Sequence, residues 1–295
     1  MRFIASLFVG FLALSVQTAG AVPKNDAERE AALKSLHWTD GEKLTLPNSR
    51  ASLNTPPEFR QLLGKDASTM WEVLGGVEAP PGIEAMIYDP KSETIVYFLK
   101  HGDGFVRLDD WADIDADEML KSISESTEAE NARRRENGVS PLHIVGWAER
   151  PHLDREKNTV QWAIESREGE TGTNVNRVSL MLLRSGYEKL IWIGSKRDDD
   201  TGLLKAGQDN FIANQGTRYT DFKPGDKVAD YGIAGLVAAV LGVKLATKLG
   251  LIALIAVFAK KFAVLIVLPF LFLFKKLKAF FVRGGTPPAP PTPST

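Results

Sequence analysis

The sequence contains no cysteine, and this absence excludes several kinds of site at once. Disulfide bonds, thiol nucleophiles and cysteine-ligated metal centres all require that residue. The chain also lacks a Gly-x-Ser-x-Gly elbow, a Walker loop and a dinucleotide-binding fingerprint. No common catalytic motif is therefore available to assign an activity, and any chemistry has to come from less specific groupings of side chains.

Acidic residues are absent from the C-terminal part of the chain. All 37 Asp and Glu residues precede Tyr231, whereas eight Lys and Arg residues follow Asp230. The region 22–230 is consequently acidic, and this argues against a nucleic-acid partner, because neutralising phosphates requires clustered Lys and Arg. The region is also long enough to form its own hydrophobic core without disulfide bonds.

The N-terminus has the pattern of a secretory signal peptide over residues 1–21. Arg2 precedes an apolar stretch from Phe3 to Val16, and the small residues Ala19-Gly20-Ala21 match a cleavage site. The alternative is an uncleaved N-terminal anchor. Cleavage after Ala21 delivers the region 22–230 across the membrane, so we expect an extracytoplasmic domain.

Residues 231–282 are predicted to anchor the chain in a lipid bilayer, although four lysines interrupt their apolar character. The interrupting residues are Lys244, Lys248, Lys260 and Lys261. A single helix over 249–274 is about 39 Å long, which is enough to cross a hydrocarbon core of about 30 Å. A hairpin of 233–259 and 262–281 is the alternative. We favour one crossing, because the basic residues after it then lie in the cytoplasm.

Two shorter C-terminal segments have their own signatures. The Gly/Ala-rich segment 232–242 places Gly235/Ala239 and Ala238/Gly242 at i, i+4 spacing, a pattern that permits close helix packing in lipid. It therefore predicts a homo-oligomer. Residues 283–295 form a Pro-rich tail that is expected to be extended and disordered.

The pattern of the region 22–230 predicts an α+β fold, with a mixed or antiparallel sheet and helices to one side. Helical spacing and cap residues predict helices at Asp26–Trp38, Pro57–Leu63, Ala67–Leu74 and Asp115–Glu136. Alternation and β-branched residues predict a hairpin within Ile83–Val106 and a meander at His143–Glu149, Thr159–Ser166, Asn174–Leu183 and Leu190–Gly194. Three meander strands contain a tryptophan (Trp147, Trp162 and Trp192), which we expect to pack on one face of the sheet, with a ligand platform as the alternative.

Three potential ligands, Glu149, His152 and Asp154, fall within six residues at a strand end and turn. They are the best candidates for a catalytic or metal site, since hydrolytic metals use three protein ligands and an open position. Their spacing does not match the helical His-Glu-x-x-His pattern. The alternative is a surface turn with solvated ion pairs.

Other polar motifs have simpler explanations. Asp113, Asp115 and Asp117 alternate as at the start of an EF-hand, but Glu118 occupies the position that needs Gly, so an acidic helix cap is expected. His101 begins a Gly-containing turn and has no identifiable nucleophile beside it.

A juxtamembrane connector is predicted directly before the anchoring region. We define the connector by Tyr219, Phe222, Asp226, Lys227, Asp230 and Tyr231. Its aromatic residues are typical of membrane interfaces, so we expect it to fix the height and orientation of the domain. We also hypothesise that it passes changes in the domain to the membrane helix.

Four stretches resemble the DUF2167 family of bacterial membrane-anchored proteins. These are Gly146–Asp154, Val160–Ala163, Gly216–Phe222 and Asp226–Leu236, and the part from Arg218 to Leu236 is the most specific. The resemblance implies a bacterial exported domain held at the inner membrane by a C-terminal segment. It implies no activity and no catalytic residues, because the family is one of unknown function.

Together these features favour a non-enzymatic module, tethered to the bacterial inner membrane, that has its main domain in the periplasm and its tail in the cytoplasm. We expect a protein partner in the envelope, a role in envelope maintenance or stress, and no cofactor. An extracytoplasmic metal-dependent hydrolase is the alternative, and a small-ligand binder that uses the Trp-bearing sheet is a third hypothesis.

Overall fold

The structure is a computed structural model, and it describes residues 22–136, 140–169, 171–195 and 201–243. The predicted signal peptide, the predicted span over 249–274 and the Pro-rich tail lie outside these residues. Within the described ranges, no helix combines the length and the apolar character needed to cross a bilayer.

The described residues form five α-helices, and local sequence explains how they begin. The helices are α1 (Asp26–Lys34), α2 (Gly64–Gly75), α3 (Ala116–Glu136), α4 (Gly202–Asn210) and α5 (Ile233–Val240). The Asn25 side chain accepts a hydrogen bond from the Glu28 N–H at the start of α1. Asp115 accepts from the N–H groups of Asp117 and Glu118 at the start of α3, which confirms the predicted acidic cap.

Eight antiparallel strands build the main sheet in the order β1-β4-β5-β6-β11-β10-β9-β8. Their bounds are β1 (Thr39–Asp40), β4 (Arg60–Leu63), β5 (Ile83–Asp89), β6 (Thr94–His101), β8 (Leu142–Asp154), β9 (Thr159–Glu168), β10 (Thr171–Leu183) and β11 (Gly186–Ser195). The α+β class, the hairpin of β5 and β6 and the meander of β8 to β11 are thereby confirmed.

Two smaller sheets complete the strands of the described residues. One has the order β12-β3-β2, formed by β2 (Lys43–Leu46), β3 (Ala51–Asn54) and β12 (Phe211–Ala213). The other pairs β7 (Phe105–Arg107) with β13 (Val228–Gly232) in parallel. None of β1 to β4, β12 and β13 was predicted as a strand, because these segments are short and, apart from the β2–β3 hairpin, their partners are distant in the chain.

The predicted helix Pro57–Leu63 is wrong, since this segment contains strand β4. Leu62 pairs with Met86 of β5 and is only 1% exposed, so its burial comes from the sheet rather than from a helical face. Gly64, the residue after the predicted helix, begins α2. Its positive φ of 48° makes the turn from strand to helix, a conformation that glycine adopts easily.

Helices cover both faces of the main sheet, which corrects the expectation that they lie to one side. Tyr97 of β6 faces α2, and its ring meets Trp71 edge-on at a centroid distance of 5.0 Å. The next residue, Phe98, faces α4, where a Cβ on Gly207 would lie 3.0 Å from the Phe98 ring. Central strands buried on both faces have continuous apolar sequences, and the run from Ile95 to Leu99 is of that kind.

The three tryptophans of the meander do not share a face. Trp162 is 2% exposed and packs in a cluster with residues of α3 and α5, whereas Trp192 is fully buried with Leu203 and Leu204 of α4. Trp147 donates a hydrogen bond from Nε1 to the Ala116 carbonyl, 3.0 Å away. All three contribute to packing, so they do not form the ligand platform of the third hypothesis.

Candidate functional site

Two of the three predicted ligands, Glu149 and His152, lie together on β8. Irregular pairing with β9 between these residues brings His152 opposite Gln161. The Glu149 Oε1 atom lies 3.1 Å from His152 Nδ1 and accepts a hydrogen bond of 2.9 Å from Gln161 Nε2. The pair is half-buried, with the side chain of Glu149 33% exposed and that of His152 49% exposed.

Arg177 of β10 connects the Glu149–His152 pair with the buried Trp192. Its Nη1 atom donates to Glu149 Oε2 at 3.0 Å, and its guanidinium carbon lies 5.9 Å from the ring centre of Trp192. From α4, Gln208 donates to Gln161 at 3.0 Å and to Ser179 at 2.9 Å. We call this group the Glu149 network: Glu149, His152, Gln161, Arg177, Ser179 and Gln208.

The third predicted ligand does not join the Glu149 network. Asp154 accepts hydrogen bonds from the N–H groups of Glu156 and Lys157, at 3.0 and 2.9 Å, and so holds its own turn. In the described part of the chain, no three His, Asp or Glu side chains are grouped so that they could hold a metal ion. Both oxygens of Glu149 already accept hydrogen bonds, from Gln161 and Arg177.

Nucleophilic chemistry finds no support in the Glu149 network either. Ser179 is fully buried and accepts from Gln208, so its hydroxyl is not open to a substrate. Two of the alternating acids at the start of α3, Asp115 and Asp117, also accept hydrogen bonds. Asp117 accepts from Arg150 at 2.8 Å, and the Arg150 guanidinium lowers the pKa of that carboxyl.

Two aromatic residues of the connector, Tyr219 and Phe222, are partly buried and pack against strand β7. Phe105 of β7 stacks on Tyr219 and on Phe222, with ring centroids 4.5 and 4.0 Å apart. The Tyr219 hydroxyl donates to the Val106 carbonyl at 2.7 Å. These contacts attach the first part of the connector to the folded domain.

Charged groups fix the middle of the connector. Arg184 donates to both oxygens of Asp226, from Nε at 2.7 Å and from Nη2 at 2.6 Å. The Arg184 hydrogen bonds, helped by the Lys223 N–H, lower the pKa of Asp226 to about 2. Lys227 contributes through its carbonyl, which accepts from the Phe105 N–H at 2.8 Å, and the side chain of Asp230 is exposed.

The end of the connector leads directly into α5, and an acid from a distant part of the chain lies at the start of that helix. The Asp110 carboxylate lies beside the first turn of α5, where the N–H groups of Ile233 and Ala234 oppose the effect of burial, which raises its pKa. A Cβ at Gly232 would lie 2.3 Å from an Asp110 oxygen, so a larger residue there would displace this carboxylate or the helix. The Tyr231 hydroxyl donates to Asp103 Oδ2 at 2.7 Å.

Helix α5 packs against the rest of the described domain. Ile233, Val237 and Ala238 are fully buried in the cluster that also contains Trp162. Because Ala238 is buried, the Ala238/Gly242 pair is not available for a helix–helix contact. Gly235 is partly buried and Ala239 is exposed, so this pair remains accessible.

Sequence reasoning missed the residues that hold these segments, namely Arg184, Phe105 and Asp110. Each lies in a different stretch from the group it binds, and no local pattern marks the pairing. It also missed a buried acid pair on the α4 side of the sheet. Ser49 donates its hydroxyl to Glu84, and burial with the nearby Glu84 charge raises the pKa of Glu188 well above its usual value.

Comparison with known proteins gives a family and likenesses to solved structures. The solution structure of the PsbP protein of the cyanobacterium Synechocystis sp. PCC 6803 is similar at 12% identity and a TM-score of 0.35, over 68% of this chain and 99% of that one. A likeness of this extent says nothing about what the present chain binds. Comparison with curated proteins gives no match. The family model of DUF2167, described as a protein of unknown function, matches residues 39–271. The chain therefore belongs to the DUF2167 family.

Proposed function

We propose that the protein is an exported binding module that is tethered by its C-terminal segment to the bacterial inner membrane and acts on the periplasmic side. The observation that carries the proposal is the integration of the connector and α5 into the folded domain. In sequence, only Lys244 to Lys248 separate the last described residue from the apolar run at 249. The apolar run therefore follows a rigid element rather than a long flexible linker.

The contacts of the connector favour a mechanical role. The Phe105 stack, the bidentate Arg184–Asp226 pair and the Asp110 carboxylate at the start of α5 hold one continuous segment at three places. A tether that only limits diffusion has no need for this number of specific contacts. We therefore extend the proposal: binding of an envelope partner to the domain is passed through α5 to the membrane segment.

Export and tethering are tested by fractionation and by reporter fusions. Full-length protein is expected in the membrane fraction, and a chain ended after Val243 is expected in the soluble periplasmic fraction. A green fluorescent protein fused after Thr286 should fluoresce, because that end is cytoplasmic, and alkaline phosphatase at the same place should be inactive. Recovery of both chains from the cytoplasm, or an active phosphatase after Thr286, contradicts the proposed topology.

Mechanical coupling between the domain and the membrane segment is tested by a change in the linker between them. Replacing Phe222 to Asp230 by a flexible linker removes core contacts and unfolds the domain, so it cannot isolate coupling. A Gly/Ser insertion between Val243 and Lys244 leaves all described contacts intact. It is expected to preserve the thermal midpoint of the domain and to fail in complementing a deletion strain, and full complementation contradicts coupling.

Self-association is the narrower part of the proposal. Gly235 and Ala239 are the small residues of α5 that remain accessible, so a photo-crosslinking residue at position 239 should yield a dimer of the full chain in membranes. The exposed position Val145, on β8, serves as the control site. Monomer alone at both positions contradicts a homo-oligomer formed through α5.

A further inference from the structure

A lysine lies between two apolar clusters on the sheet face that carries α2, α3 and α5. Tyr187, Lys189 and Ile191 alternate along β11 and share this face. Tyr187 belongs to the cluster of α3 and α5, and Ile191 packs against the cluster of α2. Lys189 lies between them on the strand and is partly buried, so this residue is at the junction of the two clusters.

His101 of β6 lies beside this lysine. It pairs directly with Tyr187, and the two rings are stacked with centroids 4.7 Å apart and planes 10° from parallel. Lys189 pairs with Leu99, two residues earlier on β6, so Lys189 and His101 are diagonal neighbours. Diagonal positions of an antiparallel pair are about 7 Å apart, within reach of one small ligand.

Neither nitrogen has a partner within the described parts of the chain. Lys189 Nζ makes no ion pair or hydrogen bond there, and His101 Nε2 is buried without a hydrogen bond. The nearest acid in the turn that follows, Asp103, accepts from Tyr231. A partly buried amine and a buried imidazole without acceptors are uncommon, because buried polar groups normally find partners.

The charge states of the two groups suit an anion. Burial lowers the pKa of Lys189 to about 8, so most of its amine is still protonated at pH 7. Burial and the neighbouring Lys189 charge lower the pKa of His101 to about 4, which leaves a neutral imidazole that can donate one hydrogen bond. An oxyanion between them receives a charge-assisted bond from Lys189 and a second bond from His101.

We propose that His101, Tyr187 and Lys189 form a subsite for the anionic group, carboxylate or phosphate, of a ligand. Lys189 supplies the charge, His101 donates from Nε2, and the Tyr187 ring holds the imidazole in place by stacking. This inference does not depend on the proposed membrane tether, since it concerns only side chains of the folded domain.

Protection of the Lys189 amine tests the subsite in the full-length protein in detergent. Trace labelling with acetic anhydride is followed at Lys189 by mass spectrometry, with and without inorganic phosphate or succinate. At about ten times the dissociation constant, a bound anion should slow labelling of Lys189 about tenfold. Lys121, whose side chain is 74% exposed on α3, is the control in the same digest and should not change.

The source of the anion is distinguished by a further arm with phosphatidylglycerol vesicles. Protection by free phosphate or succinate assigns a soluble ligand, whereas protection by the vesicles alone assigns a lipid headgroup, and both support an anion subsite. Labelling of Lys189 that is unaffected by phosphate, succinate and vesicles overturns the proposal. This measurement uses the unaltered chain and does not depend on whether a variant folds.

Variants then separate the two donors. H101F keeps an aromatic ring on Tyr187 but removes Nε2, and it should weaken protection of Lys189 by phosphate about tenfold, the loss expected for one hydrogen bond. For Lys189→Met, stabilisation of the thermal midpoint by phosphate should disappear, and Lys189→Arg should restore part of it. Equal stabilisation by phosphate in the unaltered chain and in Lys189→Met contradicts the assignment.

Discussion

The connector binds parts of the chain that are far from it in sequence, whereas the Glu149 network joins three neighbouring strands and one helix. Asp226 pairs with Arg184 and Tyr219 with the Val106 carbonyl, so the connector links β7, β10 and α5. In the Glu149 network, by contrast, His152 is half exposed, and its loss leaves the inner contacts of Arg177 in place. Both regions are rich in polar residues, but the connector is held in place by contacts with distant parts of the chain, whereas the Glu149 network is partly solvated.

The largest expected effect on stability comes from a substitution at the start of α5. In Gly232→Ala the new methyl group meets the Asp110 carboxylate, so either α5 or this carboxylate is displaced, and we expect a destabilisation of about 3 kcal/mol. Chemical denaturation of the full chain measures this change. Gly102→Ala is the matched control, because nothing lies within 4 Å of a Cβ at that position. Equal stability of the two variants would mean that α5 is only loosely attached.

Much of this fold follows from local patterns. Helix α3 was predicted with its Asp115 cap, and the hairpin of β5 and β6 was predicted from its turn and apolar runs, because caps and alternation act over a few residues. Strand β4 was not predicted, since the burial of Leu62 depends on Met86 of a later strand. Local signals fail where a distant partner decides the conformation.

The candidate site shows the same limit. Residues three apart on a regular strand point to opposite faces, so the contact of Glu149 with His152 depends on the irregular pairing with β9 and could not be predicted from their spacing. The Arg177 partner, on a later strand, could not be predicted either. Asp154, the third predicted ligand, does not join Glu149 and His152, because its carboxylate accepts hydrogen bonds within the turn that follows it. This is a common role for Asp in that position. The stacking of Phe222 on Phe105 could not be predicted from the sequence, because Phe105 lies more than a hundred residues earlier.

The next expected effect concerns the inner part of the Glu149 network. Glu149→Gln removes the negative charge that faces Arg177, whose side chain is 11% exposed, and we expect a loss of about 1–2 kcal/mol. Urea denaturation followed by tryptophan fluorescence checks this value, since Trp192 lies beside Arg177. Glu156→Gln is the control on an exposed turn. A Glu149→Gln variant as stable as the control would show that the whole network is solvated.

A smaller, pH-dependent effect is expected at the Arg184–Asp226 pair. Arg184 lowers the folded-state pKa of Asp226 to about 2, from 3.8 for the unperturbed group. Its contribution is therefore present above the unfolded pKa and is lost as the pH falls through about 2. The difference in thermal midpoint between the parent chain and Asp226→Asn should be constant above about pH 5 and shrink below about pH 4. Asp230→Asn, at an exposed position, should show no such difference, and a pH-independent Asp226→Asn effect would contradict the role of this charge.

The smallest expected effect on stability is at His152, the most exposed member of the Glu149 network. Because the imidazole is 49% exposed and contacts only the outer oxygen of Glu149, His152→Ala should change stability by less than about 0.5 kcal/mol. Metal content is measured on the same samples after dialysis against Zn²⁺. Since Asp154 is turned to its own loop, the two remaining ligands are too few for a hydrolytic site, and no stoichiometric metal is expected in either protein. Stoichiometric metal in the parent chain that disappears in His152→Ala would instead identify the Glu149 network as a metal centre. The Glu149 network, rather than the connector, would then be the first candidate for the functional site.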